Sequence, residues 1–540
     1  MGELFLGLDC STQSLTALLI EFSSGQILYR HSIKFDEDLV NYKTKKGVII
    51  LDNNVVIHSY PLMWIEALDL LFQKMKRDDI PLHEILAISG SGQQHGTVYL
   101  NDKFEETLKA LDIKKSLVSQ LKSTFSRNTS PIWMDSSTTT QCNEIREKLG
   151  GLSSTIKLLG SNTTERFSGP QIRKFYQETP DGYNQTSTIH LVSSFLASIL
   201  LGKNAPIDHG DGAGMNLMNI KTKQWDDLAL EATAPKLKEK LPPLTNPYSI
   251  IGKLSSYFVV KFGCNPDTDL VAWSGDNPNS LIGVGLTEKG KAAISLGTSD
   301  TYFSYLKNLY LDFKGEGHVF GAPTGDYMGL ICYKNGSLAR ERIRDKFNLN
   351  WEAFSNILNK TPPGNNGKLM LPYFLPEIVP IVLEPKVYRF GFDENDLEGN
   401  IRGVIEAQFL SMRLHSTWIG EKPEEIYSTG GASANKDILQ VLADIFNTKV
   451  LMFEFTDSAA LGAAFRAVKS YYDLKDKKKS WNEIKEKFIK PQKTVEIEPN
   501  HNNIKLYDDM LKLYEKCENF VLRKEENPET IRLEFIKKYF

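Results

Sequence analysis

Cysteine is sparse in this sequence, and its few thiols are scattered. The 540 residues include Cys10, Cys142, Cys264, Cys332 and Cys517, an odd number at long spacings with no CxxC pair. This pattern excludes a disulfide framework and a zinc site of the usual spacing. Unpaired, widely spaced thiols are typical of proteins of a reducing compartment.

Long hydrophobic runs and a strong net charge are also absent. The longest apolar stretch, Leu191 to Leu201, is interrupted by serines and is too short to cross a bilayer. The N-terminal residues lack a basic segment and lead directly into a predicted strand, so we expect no signal peptide and a cytoplasmic protein. The formal net charge of −3 gives no electrostatic reason to expect nucleic acid or an anionic membrane as partner.

What is present fits a soluble α/β protein of more than one domain. A chain of 540 residues is too long for a single hydrophobic core, so its length predicts two domains. Apolar residues at helical spacing in 61–76 predict a helix, and the apolar run 84–89 predicts a buried strand. A strand at 424–429 precedes a helix at 435–447. Strands that alternate with helices in this way indicate α/β architecture.

Two short segments resemble each other and predict an internal repeat. Residues 4–20 read LFLGLDCSTQSLTALLI and residues 292–305 read AAISLGTSDTYFSY, each an apolar run, a short polar turn and a second β-prone run. Both read as β-hairpins. An alignment of Ser11-Thr12 with Thr298-Ser299 places Leu296 opposite Asp9. We therefore expect a duplicated domain in which only the first copy carries a carboxylate before its turn.

The hairpin turns are candidate phosphate sites. Short hydroxyl and amide side chains at a tight turn present several N–H and O–H donors together, which suits phosphate oxygens. The first turn offers Ser11, Thr12 and Gln13, and the second offers Gly297, Thr298 and Ser299. Asp9 beside the first turn suggests Mg²⁺, directly or through water, because a carboxylate next to phosphate needs a cation. The alternative is an ordinary Asp/Ser turn.

Two loops that follow strands supply further candidates. Gly430 and Gly431 come after a strand and before a helix, where glycine lets the backbone approach a phosphate group. Asp276 follows an apolar strand in Trp273-Ser274-Gly275-Asp276-Asn277-Pro278. A carboxylate at such a position can accept the proton of a hydroxyl during phosphoryl transfer. An Asx-turn and a plain Gly-Gly turn are the alternatives.

Several other polar segments could line a polyol site. They combine amides, carboxylates, an imidazole and aromatic side chains, the groups that fix a sugar's hydroxyls against an apolar wall. These segments are Gly92-Gln93-Gln94-His95-Gly96, Trp133 with Asp135, Glu165-Arg166-Phe167-Ser168-Gly169 and Asp211-Gly212-Ala213-Gly214-Met215-Asn216.

Taken together, these motifs resemble the FGGY carbohydrate kinases of the actin, hexokinase and Hsp70 superfamily, in particular eukaryotic-type members that act on D-xylulose. The resemblance runs in order over about residues 3–475. The segments that carry it are LGLDCSTQSLT, SGSGQQHGTVY, PIWMDSSTTTQC, ERFSGPQI, LVSSFLASILLG, APIDHGDGAGMNL, SGDNPNSL, ISLGTSDT, CYKNGSLAR and STGGASANKDILQVLADIF.

The resemblance implies a fold, a reaction and a set of site residues. It implies two ribonuclease-H-like domains with a cleft between them, and transfer of the ATP γ-phosphoryl group to the terminal hydroxyl of D-xylulose, with ATP and Mg²⁺ as cofactors. It implies Asp276 as general base. The sugar contacts that it implies are His95, Arg166, Asp276 and Asn277, and the residues on the nucleotide side are Thr12, Thr298, Trp351, Gly430, Gly431 and Asn435, with Asp9 on the Mg²⁺ side.

The domain boundaries that we expect are 1–273 for a sugar-binding domain, 274–480 for a nucleotide-binding domain and 481–540 for a peripheral helical extension. Many bacterial family members carry Arg shortly after the Trp-x-Asp motif, whereas Ser136 and Ser137 follow Asp135 here. Sugar contacts known from bacterial members are therefore not transferred to this segment. The expected assembly is a monomer or a homodimer.

Two alternatives remain open at this point. One is a related kinase that acts on L-ribulose, D-ribulose, glycerol or another polyol. The other is an ATP-driven binding protein of the actin or chaperone kind, which would share the two phosphate hairpins and hydrolyse ATP slowly without a sugar acceptor.

Overall fold

In the computed structural model, the chain is described over residues 2–453, 457–489, 496–523 and 525–540. The strands up to residue 275 are β1 (Leu4–Cys10), β2 (Ser14–Glu21), β3 (Gln26–Lys34), β4 (Ile49–Asp52), β5 (Val56–Ser59), β6 (Ile85–Gly92), β7 (Thr97–Leu100), β8 (Ser130–Pro131), β9 (Thr188–Leu191), β10 (Ile207–Asp208), β11 (Met218–Asn219), β12 (Gln224–Trp225), β13 (Leu244–Thr245), β14 (Ile250–Lys253), β15 (Asp269–Val271) and β16 (Ser274–Gly275). The later strands are β17 (Lys291–Leu296), β18 (Asp300–Leu306), β19 (His318–Gly321), β20 (Tyr327–Tyr333), β21 (Leu369–Pro372), β22 (Glu377–Ile378), β23 (Ile381–Val382), β24 (Val387–Phe390), β25 (Glu425–Thr429), β26 (Lys449–Met452) and β27 (Glu496–Ile497).

The helices follow the same division. Those of the first half are α1 (Phe35–Asp38), α2 (Pro61–Arg77), α3 (Lys103–Lys109), α4 (Leu117–Leu121), α5 (Thr139–Lys148), α6 (Leu152–Leu159), α7 (Ser168–Glu178), α8 (Pro180–Gln185), α9 (Val192–Leu201), α10 (His209–Ala213), α11 (Asp227–Thr233), α12 (Leu237–Lys240), α13 (Ser256–Phe262) and α14 (Asp276–Gly283). Those that follow are α15 (Ser337–Lys346), α16 (Trp351–Lys360), α17 (Leu397–His415), α18 (Lys436–Phe446), α19 (Ser458–Leu474), α20 (Trp481–Phe488), α21 (Ile504–Arg523) and α22 (Glu529–Tyr539). No helix in the described ranges combines the length and apolar character needed to cross a membrane.

Two large sheets organise the molecule, and their strands pair in the same way. The first has the order β14-β15-β6-β1-β2-β3, with β16 also paired to β6, and the second has the order β19-β20-β18-β17-β25-β26-β27. In each, a central strand (β1 or β17) is antiparallel to the next strand of the chain and parallel to a later one. The predicted two-domain α/β fold and the internal repeat are confirmed by this shared topology.

Successive side chains of β1 alternate between the two faces of the first sheet, and both faces are buried. Leu4, Leu6 and Leu8 of β1 belong to one apolar cluster with α2 and α9, whereas Phe5 between them belongs to a second cluster. Neighbouring side chains of a strand point to opposite faces, so a strand that is buried on both sides has an unbroken apolar sequence. The run LFLGL is such a sequence.

Helix α19 covers this second face, although it follows β26 of the second sheet in the chain. Its apolar residues join Phe5 of β1 in one cluster. The helix approaches α14 closely at glycine: a Cβ on Gly462 would lie 1.9 Å from the carbonyl oxygen of Asn279, and one on Gly283 would lie 1.8 Å from that of Ser458. The sequence assigns both α14 and α19 to the nucleotide-binding domain, but α19 also packs on β1 and β6 of the first sheet.

The C-terminal helix α21 forms part of the core around the second sheet. Tyr507, Met510, Leu513, Tyr514 and Cys517 are buried in the same apolar cluster as strands β17 and β18. The sequence predicts this helix, at 503–524, within a peripheral extension. The helix itself is observed, while its apolar face belongs to the interior of the second half.

A buried histidine connects α21 to the rest of the second half. His415, at the end of α17, donates Nδ1–H to Oε2 of Glu316 at 2.8 Å and Nε2–H to Oε1 of Glu518 at 3.1 Å. Hydrogen bonds to the two carboxylates outweigh the cost of burial and raise the pKa of His415 to about 9.

We expect Gly462→Ala to destabilise the protein. Alanine favours helix by about 1 kcal/mol over glycine, but its Cβ has to displace the α14 backbone, and such overpacking costs about 3 kcal/mol at the upper end of its usual range. Chemical unfolding measures the net loss. The matched control is Gly182→Ala in α8, where a Cβ meets only the ends of Phe175 and Thr179. Equal stability of both variants would contradict the close packing.

We also expect the contribution of His415 to depend on pH. Its pKa of about 9 in the folded protein lies above the value of about 6.5 for an unfolded chain. The stabilisation is therefore full below pH 6.5 and is lost as pH rises through 9, a change on the order of 3 kcal/mol. The test compares unfolding free energies of the wild type and His415→Gln at pH 6.5 and pH 10. Their difference should shrink at pH 10, and a difference independent of pH would refute the assignment.

Candidate active site

Asp9 stands at the end of β1, where the parallel strand β6 ends beside it. The register pairs Asp9 with Ser91, and the Ser91 hydroxyl donates to the Asp9 carboxylate. Withdrawal from water raises the pKa of Asp9 to about 7, and the charges of Asp276 and Asp457 add to this effect, while the Ser91 hydroxyl opposes it. The sheet thus holds a carboxylate whose ionised form is disfavoured by its surroundings.

The first hairpin turn, between β1 and β2, contains the predicted residues Ser11, Thr12 and Gln13. Ser11 closes the turn through its N–H and hydroxyl, which both donate to the Ser14 carbonyl, at 2.9 and 3.1 Å. Thr12 Oγ1 accepts from the indole Nε1–H of Trp133 at 2.8 Å and donates to Oε1 of Gln93 at 3.3 Å. The turn is therefore fixed on both sides by other loops of the site.

The second hairpin turn, Gly297 to Ser299, joins β17 to β18 and leaves Thr298 and Ser299 exposed. Its base is held by Asp300, which the sequence analysis missed. The buried Asp300 carboxylate accepts two hydrogen bonds from Arg340, at 2.8 and 3.0 Å, and Ser337 N–H donates to the Gly297 carbonyl. In the sequence, the acid that directly follows the Gly-Thr-Ser turn could have indicated a role for Asp300.

The alignment of the two hairpins differs by one residue from the predicted one. Asp9 pairs with Ser91 on the neighbouring parallel strand, and the residue of β17 in the same position is Ser295, which pairs with Thr429. Leu296 instead points into the core, as Cys10 does. The conclusion that only the first hairpin carries a carboxylate before its turn still holds, with Ser295 in place of Leu296 opposite Asp9.

Asp276 is the first residue of α14 and directly follows β16. Its Oδ1 accepts from the backbone N–H of Asn277 at 2.8 Å, from the Asn277 side-chain amide at 3.1 Å and from the backbone N–H of Gln94 at 3.3 Å. Desolvation outweighs these donors and raises the pKa of Asp276 to about 6. A carboxylate with such a pKa is ionised at neutral pH and is still basic enough to take a proton.

His95 lies three residues beyond the end of β6 in a left-handed backbone conformation, with φ of 72°. Its Nδ1–H donates to the Gly214 carbonyl at 2.8 Å, and its ring stacks on Phe167 with centroids 4.2 Å apart. Burial, and then the nearby charge of Arg166, lower the pKa of His95 well below its usual value. The imidazole is therefore neutral, and its Nε2 is left as an acceptor.

Arg166 is the cation of this region. Its charge lowers the pKa of His95, of His318 on β19 and of Cys332 on β20. Its charge therefore influences side chains of both halves. Asp211, from another predicted segment, is buried and accepts a hydrogen bond from the Ser193 hydroxyl. Asp135 has a structural role, because its carboxylate accepts hydrogen bonds from the backbone N–H groups of Ile57 and Ser137 and from the side-chain amide of Gln171.

The remaining predicted residues lie together in the second half. Gly430 follows β25 with φ of 92°, and a Cβ there would lie 2.6 Å from the Leu296 carbonyl oxygen. Gly431 begins a 3₁₀ turn, after which Asn435 caps α18 through Oδ1 and donates Nδ2–H to Ser355 at 2.8 Å. Trp351, four residues before Ser355 on α16, shares its helix face and is 39% exposed.

The predicted residues thus form two groups. Asp9, Thr12, His95 and Asp276 lie around the ends of β1, β6 and β16, and Trp351 and Asn435 lie around the start of α18. Among the described residues, no three His, Cys, Asp or Glu side chains come together as a metal site of protein ligands would require.

Comparisons with known proteins agree with this geometry. Residues 127–283 match the N-terminal domain of the FGGY family of carbohydrate kinases, and residues 292–471 match its C-terminal domain. The chain is similar to xylulose kinase 2 of Arabidopsis thaliana, with 45% identity over 86% of this chain and 87% of that protein. It is also similar to the xylulose kinase of Rattus norvegicus, with 40% identity over 97% of this chain and 98% of that protein.

A solved structure, that of a ligand-bound xylulose kinase from Lactobacillus acidophilus, has the same fold. It superposes with a TM-score of 0.79 at 20% identity, over 96% of this chain and 99% of that one. At this identity, the likeness concerns the arrangement of the backbone.

Proposed function

The chain belongs to the FGGY family of carbohydrate kinases, and from this premise we propose that its acceptor is D-xylulose and its product D-xylulose 5-phosphate. As a member of this family, the chain is an ATP-dependent carbohydrate kinase. The observation that carries the choice of sugar is that two relatives with at least 40% identity over most of this chain are named xylulose kinases.

In this proposal, Asp276 is the general base. Three N–H groups donate to its Oδ1, which orients the carboxylate and leaves Oδ2 as the oxygen that we assign to the proton of the sugar's terminal hydroxyl. Its pKa of about 6 keeps it ionised at neutral pH. Proton transfer from the hydroxyl makes the sugar oxygen a better nucleophile toward the γ-phosphoryl group.

His95, Arg166 and Asn277 are the proposed sugar contacts beside Asp276. The neutral imidazole can accept a hydrogen bond from a sugar hydroxyl through Nε2, whereas the guanidinium and the Asn277 amide can donate hydrogen bonds to sugar oxygens. Phe167 is fully buried and stacks on the His95 ring, so it holds the imidazole in place. The contacts therefore include both donors and acceptors, as a polyhydroxylated substrate requires.

The two hairpin turns are the proposed phosphate sites. Ser11, Thr12 and Gln13 on one side, and Gly297, Thr298 and Ser299 on the other, present backbone N–H and hydroxyl donors. Gly430 and Gly431 allow the backbone to approach the nucleotide, and Trp351 offers an aromatic face beside Asn435. Because the side chain of Asn435 already caps α18, we assign it the role of fixing this loop as well.

Mg²⁺ fits the environment of Asp9. Burial, and then repulsion from Asp276, raise the pKa of Asp9 to about 7, and a nearby cation would favour its ionised form. Mg²⁺ commonly keeps several waters and uses one or two carboxylates together with substrate phosphates, which agrees with the absence of a larger cluster of acidic ligands in the described residues. Bound there, the ion would neutralise charge on the phosphates.

The cytoplasmic location and the monomeric or homodimeric state stay predictions.

A coupled ADP-release assay tests the choice of sugar. We expect D-xylulose to give the highest kcat/KM in a panel with D-ribulose, L-ribulose, L-xylulose and glycerol, and ADP release without sugar to be far slower. A preference for another sugar of the panel would refute D-xylulose as the substrate. ADP release that no sugar accelerates would favour the actin- or chaperone-like alternative.

We expect Asp276→Asn to lower kcat by roughly 10²–10⁴-fold, because an amide cannot accept the hydroxyl proton. Binding of a nonhydrolysable ATP analogue should be retained in calorimetry. In the wild type, kcat/KM should fall as pH drops through about 6, where Asp276 is protonated. The control is Asp227→Asn, at an exposed ion pair with Lys238. Near-normal turnover of Asp276→Asn would exclude Asp276 as the base.

A further inference from the structure

Two buried polar atoms near Asp276 have no hydrogen-bond partner among the described residues. They are Nε2 of Gln94 and Oδ1 of Asp211. Both lie around Gly275: from the position of a Cβ on this residue, Cδ of Gln94 is 3.1 Å and Oδ1 of Asp211 is 3.0 Å away. Burying a polar group without a hydrogen-bond partner is unfavourable, so such atoms occur in proteins mainly where a ligand or a water supplies the missing partner.

The orientation of the Gln94 amide follows from its contacts. Nδ2 of Asn277 donates to Oδ1 of Asp276, since a carboxylate can only accept, and it also contacts the Gln94 side chain at 2.9 Å. The atom of Gln94 in this contact must therefore be the acceptor Oε1. Nε2 is the opposite end of the amide, and its two N–H groups are the part that remains free.

Nε2 of Gln94 lies beside the histidine that is a proposed sugar contact. A Cβ on Gly214 would be 3.1 Å from Nε2 of Gln94 and 2.9 Å from Cε1 of His95. The amide and the imidazole therefore share one wall, against a glycine that leaves no side chain between them. Gln94 is 2% exposed, so this donor is shielded from bulk water.

We propose that Gln94 is a specificity-determining residue of the sugar site, which donates Nε2–H to an acceptor oxygen of the sugar while its Oε1 and backbone N–H position Asn277 and Asp276. The inference rests on the proposed function, because it concerns the sugar side of the same site. One residue thereby couples recognition of the sugar to the placement of the base. The relevant oxygen is not that of the terminal hydroxyl, which faces Asp276.

Two variants of Gln94 separate its two contacts. Gln94→Glu keeps an acceptor for Asn277 but replaces the donor by a second acceptor and places a charge near Asp276. Gln94→Met keeps the side-chain length and removes both contacts. A site that donates a hydrogen bond to a substrate oxygen loses much of its affinity for the substrate when the donor is removed, because the buried oxygen is left without a partner.

We expect KM for the sugar to rise at least tenfold in both variants, with KM for ATP changed less than threefold. In Gln94→Glu the acid limb of the kcat/KM profile should also move to higher pH, because the added negative charge disfavours ionised Asp276. Gln141→Met, at a buried amide of α5 that donates to Gln177, is the control and should leave both KM values unchanged. Melting temperatures verify that all variants fold.

The sugar for this test is the member of the panel that the wild type phosphorylates fastest. A sugar other than D-xylulose would refute the proposed substrate, and Gln94 would still be tested with that sugar. A sugar KM within threefold of the wild type in Gln94→Glu would overturn the role of Gln94. Equal increases in KM for sugar and ATP would do so too, because they would indicate a general structural defect.

Discussion

The close packing of α19 against β1 and α14 fixes the geometry on which the site depends. A Cβ on Gly7 would lie 2.0 Å from the Ala460 carbonyl oxygen, and one on Gly462 would lie 1.9 Å from that of Asn279. Backbones approach this closely only where side chains are absent. Asp9 is two residues beyond Gly7 on its strand, and Asp276 begins the helix that contains Asn279. One helix therefore sets the positions of both carboxylates.

A buried cation on the same helix, Arg466, also helps to position strand β16, which directly precedes Asp276. Arg466 donates to the Pro247 carbonyl, to Oδ1 of Asn279 at 3.2 Å and to Oδ2 of Asp208 at 3.3 Å. Asp208 in turn accepts from the Ser274 hydroxyl at 2.9 Å. A buried ion pair adds little net stability, because desolvation offsets much of the attraction. Its main effect here is on alignment, since a displaced α19 would separate the two buried charges of Arg466 and Asp208.

Sequence patterns were sufficient to predict the local elements of this arrangement. The apolar runs around Ser11-Thr12 and Thr298-Ser299 predict both hairpins, and helix α2, strand β25 and helix α18 lie where periodicity places them. These features depend on neighbours in the chain, so the chain itself contains the signal. The parallel pairings that place Asp9 beside Ser91 and Ser295 beside Thr429 are non-local, and the predicted alignment was therefore one residue off.

The contacts that the sequence did not predict join distant segments. The pairing of Asp300 with Arg340 spans two elements of the second half, and the burial of Cys517 depends on a helix whose apolar face has to find a surface built much earlier in the chain. A Lys- and Glu-rich helix at a chain end is compatible with either a solvated or a docked position. Only the shape of the second half decides between them, and no local periodicity encodes that shape.

The two hairpins differ in the charge beside their turns: the first has the carboxylate of Asp9, and the second has Ser295 at the matching position. Burial raises the pKa of Asp9 to about 7, and repulsion from Asp276 adds to this effect. The interaction is mutual. On the proposed assignment, a cation that arrives with the nucleotide at Asp9 would stabilise the ionised form of Asp9 and offset its repulsion with Asp276. The second hairpin has Ser295 at the matching position and its own acid, Asp300, neutralised by Arg340. In the proposed function, the second hairpin therefore binds phosphate without a competing negative charge, and the proposed base, Asp276, belongs to the first half.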